Sequence, residues 1–565
     1  MAAHASEPWS ADTKTGKTTA EPYRVTEDYF ERPRKLRIII IGCGASGILF
    51  AYKFQKHLTD CEIVIYEKNE DVGGTWLENR YPGCACDVPS HAYQYPWAPN
   101  PEWKKYYSGS EELCQYFKGV AERFNIMQYV KLRHRIVGAS WNEEVSKWHV
   151  KVQNGDNVFE DDAEFLLNAG GVLNDWKWPS IPGLENFQGK LMHSAKWDDS
   201  YDLRDKNIAI IGGGSSAVQI IPSLQPRVKS MTTFIRSSAW ISGSYGATYA
   251  GPNGQNFEYS QEQIEQFRQN PKLQLEYWKK IEQELNKRFR FIIKGSEDQK
   301  QIVKNTAEDM RAKLAQKPSL ADHLIPKFAF GCRRPTPGNG YLEALTSDNV
   351  DPVFTPIEEV TSTGLRTTDG HHYEVDALVC ATGFNVSFRP RFPLIGLEGE
   401  NLQDRWTKNT PKSYLSMMVD GFPNYFTSLG PHSPVGHGSI IPVIEVVADY
   451  ILAVMKKVQC QSIRSVDVKR EAVEDFSHHA DEFLKRTAWS DGCSSWFKNG
   501  TVDGPVVAIW PGSRLNWFEA LREPRYEDFN YKYATGNRFQ YFGNGFTQRE
   551  IEGSDLTWYL DSPDV

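Results

Sequence analysis

A glycine-rich turn occurs twice in this chain, 170 residues apart at Gly42 and Gly212, each between an apolar run and a helical pattern. That arrangement constrains the fold more than any other feature. A strand that turns straight into a helix and leads to a second strand builds a parallel βαβ unit. The first copy runs from the strand Ile38-Ile39-Ile40-Ile41 into Gly42-Cys43-Gly44-Ala45-Ser46-Gly47, a helical stretch and the apolar strand Glu62 to Tyr66. The second runs from Ile208-Ala209-Ile210-Ile211 into Gly212-Gly213-Gly214-Ser215-Ser216-Ala217, a helix and the strand Met231 to Ile235. Both turns read G-x-G-x-x-G/A, the pattern that sets a dinucleotide pyrophosphate on a helix N-terminus.

The two units end in opposite charges. The first ends at Glu67, followed by Lys68, and the second at Arg236, followed by Ser237. A carboxylate at that place accepts hydrogen bonds from a ribose 2′-hydroxyl, and an arginine pairs with a 2′-phosphate. The chain is therefore expected to hold two dinucleotides, FAD on the first turn and NADPH on the second. The expected fold class is α/β, with two Rossmann-like dinucleotide-binding domains and an inserted helical subdomain.

A chain of 565 residues has room for several cores large enough to bury elongated cofactors. Its formal charge of −8 and pI near 6.0 leave no positive field for nucleic acid, so none is expected as a partner. The nine cysteines are odd in number and scattered, as in a reduced, intracellular chain, and the cytoplasm is the expected location. Cys84-Ala85-Cys86 lacks a second ligand pair, so no metal site is expected. No cysteine follows the first turn within residues 48 to 60, which speaks against thiol–disulfide catalysis. The longest apolar stretch, Ile440 to Met455, is interrupted by Pro442, Glu445 and Asp449 and reads as a buried helix rather than a membrane span. Neither the polar residues 1 to 30 nor the C-terminus matches a targeting signal.

The expected organisation is a disordered or loosely packed arm at 1–35, a first part of the FAD domain at 36–172, an NADPH domain at 173–380 and a second part of the FAD domain at 381–565. The stretch from about 260 to 320 is charged, with Leu273, Leu275, Trp278, Ile281 and Leu285 at helical spacing, and reads as a helical insertion. A hairpin is expected from Ile136–Trp141 and Lys147–Val152, and a short core strand at Phe165-Leu166-Leu167.

Two further strings carry chemistry. Gly74-Thr75-Trp76 leads through Tyr81-Pro82-Gly83 to Asp87, so that glycines, an aromatic face and a carboxylate share an irregular loop. Phe187-x-Gly189-x-x-x-His193-x-x-x-Trp197-Asp198 lies just before the second glycine turn. On these strings the chain resembles the Baeyer–Villiger monooxygenases, the ketone-oxidising branch of the class B flavoprotein monooxygenases. The linker string fits the family fingerprint F-x-G-x-x-x-H-x-x-x-W-(P/D) at every fixed position. The resemblance runs from about Tyr23 to Glu527, with the fungal secondary-metabolism type echoed in Leu167-Asn168-Ala169-Gly170-Gly171 and Gly331-Cys332-Arg333-Arg334-Pro335.

The resemblance implies that NADPH reduces FAD and that a peroxyflavin formed with O2 attacks a ketone, giving an ester or lactone. It implies Arg334 as the fixed positive charge and Asp87 as the carboxylate that orients it. Arginine suits the role because it does not become neutral by giving up a proton. It also implies Arg236, Ser237 and Arg333 as the 2′-phosphate clamp and Trp496 as a cover over the nicotinamide or substrate pocket. Thr and Lys are common in relatives at the positions of Ser237 and Arg333. In the family the linker string couples domain movement to nucleotide binding rather than touching substrate, and interdomain packing accounts for part of its pattern. His432 and His437 are placed near the pocket by their Gly/Pro-rich loop alone. Oxygenation at sulfur or nitrogen is the neighbouring alternative, and a flavin-binding scaffold without oxygenase activity is the more distant one.

Overall fold

A computed structural model describes residues 23–561. Residues 1–22 of the expected arm, and the last four residues of the C-terminus, lie outside that range. The part of the arm that is described is anchored rather than loose: the Phe30 amide donates to the Phe546 carbonyl, and the Asn544 amide to that of Asp28.

The first glycine turn belongs to a five-stranded parallel sheet. Its strands run in the order Tyr425–Thr427, Phe165–Asn168, Leu36–Ile41, Cys61–Tyr66 and Val130–Lys131. Leu36–Ile41 lies at the centre, and its unbroken isoleucine run reflects burial on both faces. Ile38 and Ile40 face a core built with the helices Ala45–His57 and Ile441–Cys460, while Ile39 faces Trp141 and Trp148. Those tryptophans come from an antiparallel layer in which Arg135–Asn142 pairs with Lys147–Asn154 and the latter with Asn157–Ala163. The apolar stretch beginning at Ile440 thus becomes a core helix. No described helix is long and apolar enough to cross a membrane.

The second turn belongs to another five-stranded parallel sheet, ordered Val350–Val353, Ser230–Phe234, Asn207–Ile211, Ala377–Cys380, Lys190–His193. The linker string is therefore part of the sheet: Lys190–His193 is its edge strand, paired with Ala377–Cys380.

Between the second unit's strands stand the helices Gln261–Gln269, Pro271–Lys287 and Glu297–Lys313. Trp278, Ile281 and Leu285 are buried against Tyr106 and Tyr259. Leu273 and Leu275 depart from the expected apolar face and are exposed. They flank Gln274, which is buried on one helical face with Trp278, Ile281 and Leu285, so their side chains project to either side of that face.

Candidate active site

The site begins with the glycine turns. A Cβ on Gly47 would stand 2.0 Å from the Gly42 carbonyl oxygen, so the helix can start this close to the strand only without a side chain there. Gly44 and Gly74 approach so closely that a Cβ on Gly74 would lie 2.9 Å from the Gly44 Cα. In the second turn Gly212 adopts φ +134° with its Cβ direction blocked by the Ala381 carbonyl, whereas Gly214 faces open space. The helices that follow, Ala45–His57 and Ser215–Leu224, carry no side-chain cap. Their first N–H groups are thus free to meet an anion.

The Tyr-Pro-Gly turn joins the two units. A Cβ on Gly83 would be 2.6 Å from the Gln219 carbonyl, the Tyr81 hydroxyl donates to Gln219 Oε1 at 2.9 Å, and Gln219 Nε2 donates to the Ala85 carbonyl at 2.9 Å. The first unit's loop is thereby pinned to the second unit's crossover helix. Gln219 had no signature in the sequence, since its role depends on a contact across 134 residues or more.

Around this junction lies a cavity of about 460 Å³. The first unit brings Gly42, Gly44, Ala45, Ser46, Glu67, Lys68, Gly74, Thr75, Trp76, Tyr81 and Asp87 to its wall, and Ser215, Arg334 and Trp496 complete the expected set there. Gly47, Gly212, Gly214, Ser216, Ala217, Arg236, Ser237 and Arg333 lie outside that wall, as do all five linker residues.

At the end of the first unit Glu67 is 3 % exposed. Its carboxylate accepts from the Cys43 amide at 2.7 Å and from the Asn69 amide at 2.8 Å. Burial raises its pKa, and the two amides counter part of that rise. Lys68 is held by Glu78 and Asn174 Oδ1, each at 2.9 Å.

At the end of the second unit the charges reverse. Arg236 is exposed. Arg333 donates to Ser237 Oγ at 2.9 Å, to the Ser238 carbonyl at 3.2 Å and to the Ser494 carbonyl at 2.6 Å. Its pKa is lowered by burial and by the neighbouring Arg236. Two arginines are therefore close together, and Arg333 is satisfied by neutral oxygens alone, an arrangement that favours an added anion.

Arg334 faces the cavity. Its Nη2 donates to Asp87 Oδ1 at 3.0 Å and Oδ2 at 2.9 Å, its Nε to Oδ2 at 3.2 Å, and its Nη1 to the Val435 carbonyl at 3.3 Å. The guanidinium also lies over the Tyr245 ring, 5.1 Å from its centroid. Burial alone would lower the Arg334 pKa, but the Asp87 carboxylate, with help from Tyr245, raises it instead. The side chains of Arg334 and Asp87 remain 23 % and 30 % exposed, so the charge is fixed in place yet reachable from the cavity. Tyr245, which fixes itself by donating to the Pro335 carbonyl at 2.7 Å, escaped the sequence reading because its turn carries no motif.

The linker string is packed into the second unit. Gly189 is required because a Cβ would meet the Phe187 ring at 2.5 Å and the Asp376 carbonyl at 2.6 Å. His193 is fully buried, stacked on Trp176, accepting from the Ala195 amide and 3.2 Å from Thr382 Oγ1. Burial pushes its pKa down to about 4, so it is neutral and its Nε2–H faces the threonine. Trp197 packs on the second unit's core, and Asp198 pairs with Lys190 at the surface. His432 and His437 turn away from the cavity. The first bonds the Ile509 carbonyl, the second accepts from the Arg514 amide, and their loop shows the cavity Pro434, Val435 and Gly438.

One finding departs from the reduced-chain expectation. Cys332 and Cys493, separated by 161 positions, form a disulfide, and the other seven cysteines are free. No spacing rule pairs cysteines so far apart.

Comparison with known proteins places this geometry. An NAD(P)-binding Rossmann-like domain model matches residues 40–109. The FAD-binding monooxygenase tazF of Aspergillus terreus is 42 % identical over 94 % of this chain and 95 % of its own length. A Baeyer–Villiger monooxygenase of Streptomyces coelicolor is 32 % identical over 87 % of this chain and 91 % of its own. The chain belongs to the Baeyer–Villiger monooxygenase family. The closed crystal structure of cyclohexanone monooxygenase superposes with a TM-score of 0.76, at 26 % identity, over 89 % of this chain and all of that one. The structure of OTEMO with FAD and NADP gives a TM-score of 0.78 at 24 % identity and shares the fold. This family member is thus a flavin-dependent monooxygenase with two dinucleotide-binding domains.

Proposed function

We propose that this enzyme uses NADPH and O2 to convert a ketone into an ester or lactone, with FAD on the first glycine turn and NADPH on the second. The observation that carries the reading is the Arg334–Asp87 fork, set on the wall of the cavity that both units share. The residues present fit the two dinucleotides. Both helix N-termini are uncapped, Gly214 leaves space, Glu67 ends one unit and the Arg236–Arg333 pair ends the other. FAD, when bound, supplies the O2 activation that side chains alone lack.

On this reading Asp87 holds the guanidinium flat and aimed, and Arg334 supplies a positive charge that stabilises oxyanion character without donating its proton away. Trp76, Tyr93 and Trp496 line the cavity with aromatic surface that excludes water, which strengthens the field of that charge. Arg236, Arg333 and Ser237 bind the 2′-phosphate and select NADPH over NADH. The linker strand, through His193 and Thr382, sets the second sheet's edge and acts on geometry rather than on substrate. A bulky or cyclic ketone, such as a secondary metabolite or steroid, is the substrate class we favour, and the likeness to cyclohexanone monooxygenase supports its cyclic form.

The test is anaerobic reduction of the yellow holoenzyme with NADPH, then mixing with O2 in the presence and absence of cyclic ketones. Ketone-dependent ester release with one NADPH consumed per product is expected. Oxygenation of sulfides or amines with no ester from any ketone would overturn the ketone assignment. Peroxide release unaffected by every acceptor would overturn the monooxygenase reading.

A further inference from the structure

We propose that Cys332 and Cys493 are a reversible redox site, opened by low-molecular-weight thiols, that clamps the arginine segment to the Trp496 loop. Cys332 immediately precedes Arg333 and Arg334, and Cys493 stands three residues before Trp496. The bond therefore joins the element carrying both functional arginines to the element that brings the tryptophan to the cavity wall. Without it, the bonds from Arg333 Nε to the Ser494 carbonyl and from the Ala329 amide to Asp491 Oδ2, both at 2.6 Å, still link these loops. Opening the bond would loosen the junction without dismantling it.

The surroundings suit both redox states. The Asp491 carbonyl lies 3.1 Å from Cys332 Sγ, so a thiol formed there has an acceptor in place. The buried Lys498 ammonium, held by the Asp491 and Val502 carbonyls, stands 4.0 Å from the same sulfur and stabilises it as a departing thiolate. Cys493 is 4 % exposed and follows the exposed Gly492, whereas Cys332 is wholly buried, which directs an incoming thiolate to Cys493.

The chemistry balances as thiol–disulfide exchange. A small thiolate attacks Cys493 Sγ, a mixed disulfide forms, and Cys332 leaves as a thiolate. A second small thiolate attacks the sulfur of the bound small thiol, releasing a small-molecule disulfide and the Cys493 thiolate. Two small thiols are oxidised, the protein disulfide is reduced, and both cysteines take protons from water. The reverse route, with a small disulfide as oxidant, closes the clamp.

The first readout needs no catalysis. Full-length holoenzyme is alkylated after denaturation without reductant and the modified thiols are counted by mass. Seven are expected as isolated, and nine after native incubation with dithiothreitol followed by its removal. Nine in the air-exposed protein, or seven after native dithiothreitol, would overturn the proposal.

The second readout rests on the function proposed above. The KM for NADPH is expected to rise about tenfold on reduction, equivalent to about 1.4 kcal/mol, while the bound-flavin spectrum stays unchanged. The Cys493→Ser enzyme should show the raised KM with or without dithiothreitol. Equal KM values for the oxidised and reduced wild type would overturn the clamp's effect on the pocket, and this comparison holds even if the variant folds poorly. Absence of NADPH oxidation in both redox states would strike the functional reading, and the thiol counts would still decide the redox site.

Discussion

Replacing Arg334 with lysine keeps a positive charge and removes the fork, so it separates charge from geometry. The guanidinium spends two nitrogens on Asp87, a third on the Val435 carbonyl, and its plane on the Tyr245 ring. A lysine ammonium can keep one Asp87 contact but cannot satisfy the rest from a single nitrogen. Charge-assisted hydrogen bonds net about 1.5–3 kcal/mol each, and the 23 % and 30 % exposure of the two side chains argues for the low end. Losing two such contacts, the second Asp87 nitrogen and the Val435 bond, amounts to about 3 kcal/mol of positioning, or roughly 10²-fold in product formation. The Arg236–Arg333 cluster is untouched, so the KM for NADPH should stay within about twofold of the wild-type value. Arg334→Lys should thus keep consuming NADPH while making little ester, and hydrogen peroxide should account for the difference. Simultaneous measurement of NADPH loss, ester and peroxide checks this. Wild-type coupling in the variant would show that charge alone suffices, and a parallel loss of NADPH oxidation would place Arg334 in nucleotide binding instead.

Arg236→Ala should raise the KM for NADPH about 10²-fold and leave that for NADH nearly unchanged, as expected for one phosphate contact; equal changes for both nucleotides in steady-state assays would refute its role. Gly47→Ala forces a Cβ to within 2.0 Å of a carbonyl and should yield protein without bound flavin, seen as a missing visible spectrum. Gly214→Ala meets no protein atom within 4 Å and should melt at the wild-type temperature while binding NADPH less tightly, which equilibrium titration would show. Acid should destabilise the fold, because burial holds His91 and His437 near pKa 3 and His193 near 4, all below the unfolded value of about 6.5. Their contribution is present above that value and lost as pH falls toward the folded pKa values. Asp467, raised by burial to about 7, contributes with the opposite sign, present at low pH and lost as pH rises through 7. A net of about two protons between pH 6 and 5 gives roughly 2.7 kcal/mol per pH unit. A melting temperature flat across that interval would contradict the neutral buried histidines.

The glycine turns were legible in the sequence because their constraint is local: Gly47 and Gly42 are five residues apart, and the clash that demands glycine lies between them. Both strand-end charges were legible for the same reason. The linker string was legible as a pattern but not as a place, since its position at the sheet edge depends on pairing with residues 377–380. Tyr245, the Val435 carbonyl and the Cys332–Cys493 bond had no local signature, and each meets the arginine segment from a distant part of the chain. The exposed Leu273 and Leu275 show the converse: apolar side chains in the right stretch that flank the buried face, whose place between them is taken by the polar Gln274.

What the fold adds is a reason for two adjacent arginines. Arg333 points to Ser237, Ser238 and Ser494, beside the strand end that carries Arg236, while Arg334 points to Asp87 across the shared cavity. Consecutive residues thus contact different units, Arg333 the end of the second and Arg334 the Asp87 loop of the first. A shift of this short segment toward a bound 2′-phosphate necessarily carries Arg334 with it, because one peptide unit separates their Cα atoms by about 3.8 Å. The segment has few other degrees of freedom. The disulfide fixes its first residue, and the Thr336 amide, bonded to the Trp240 carbonyl at 3.1 Å, fixes the chain just beyond it. On the function proposed above, coupling between nucleotide binding and the aim of the Arg334 charge needs no long-range pathway. It follows from placing both arginines on one tethered turn between the two sheets.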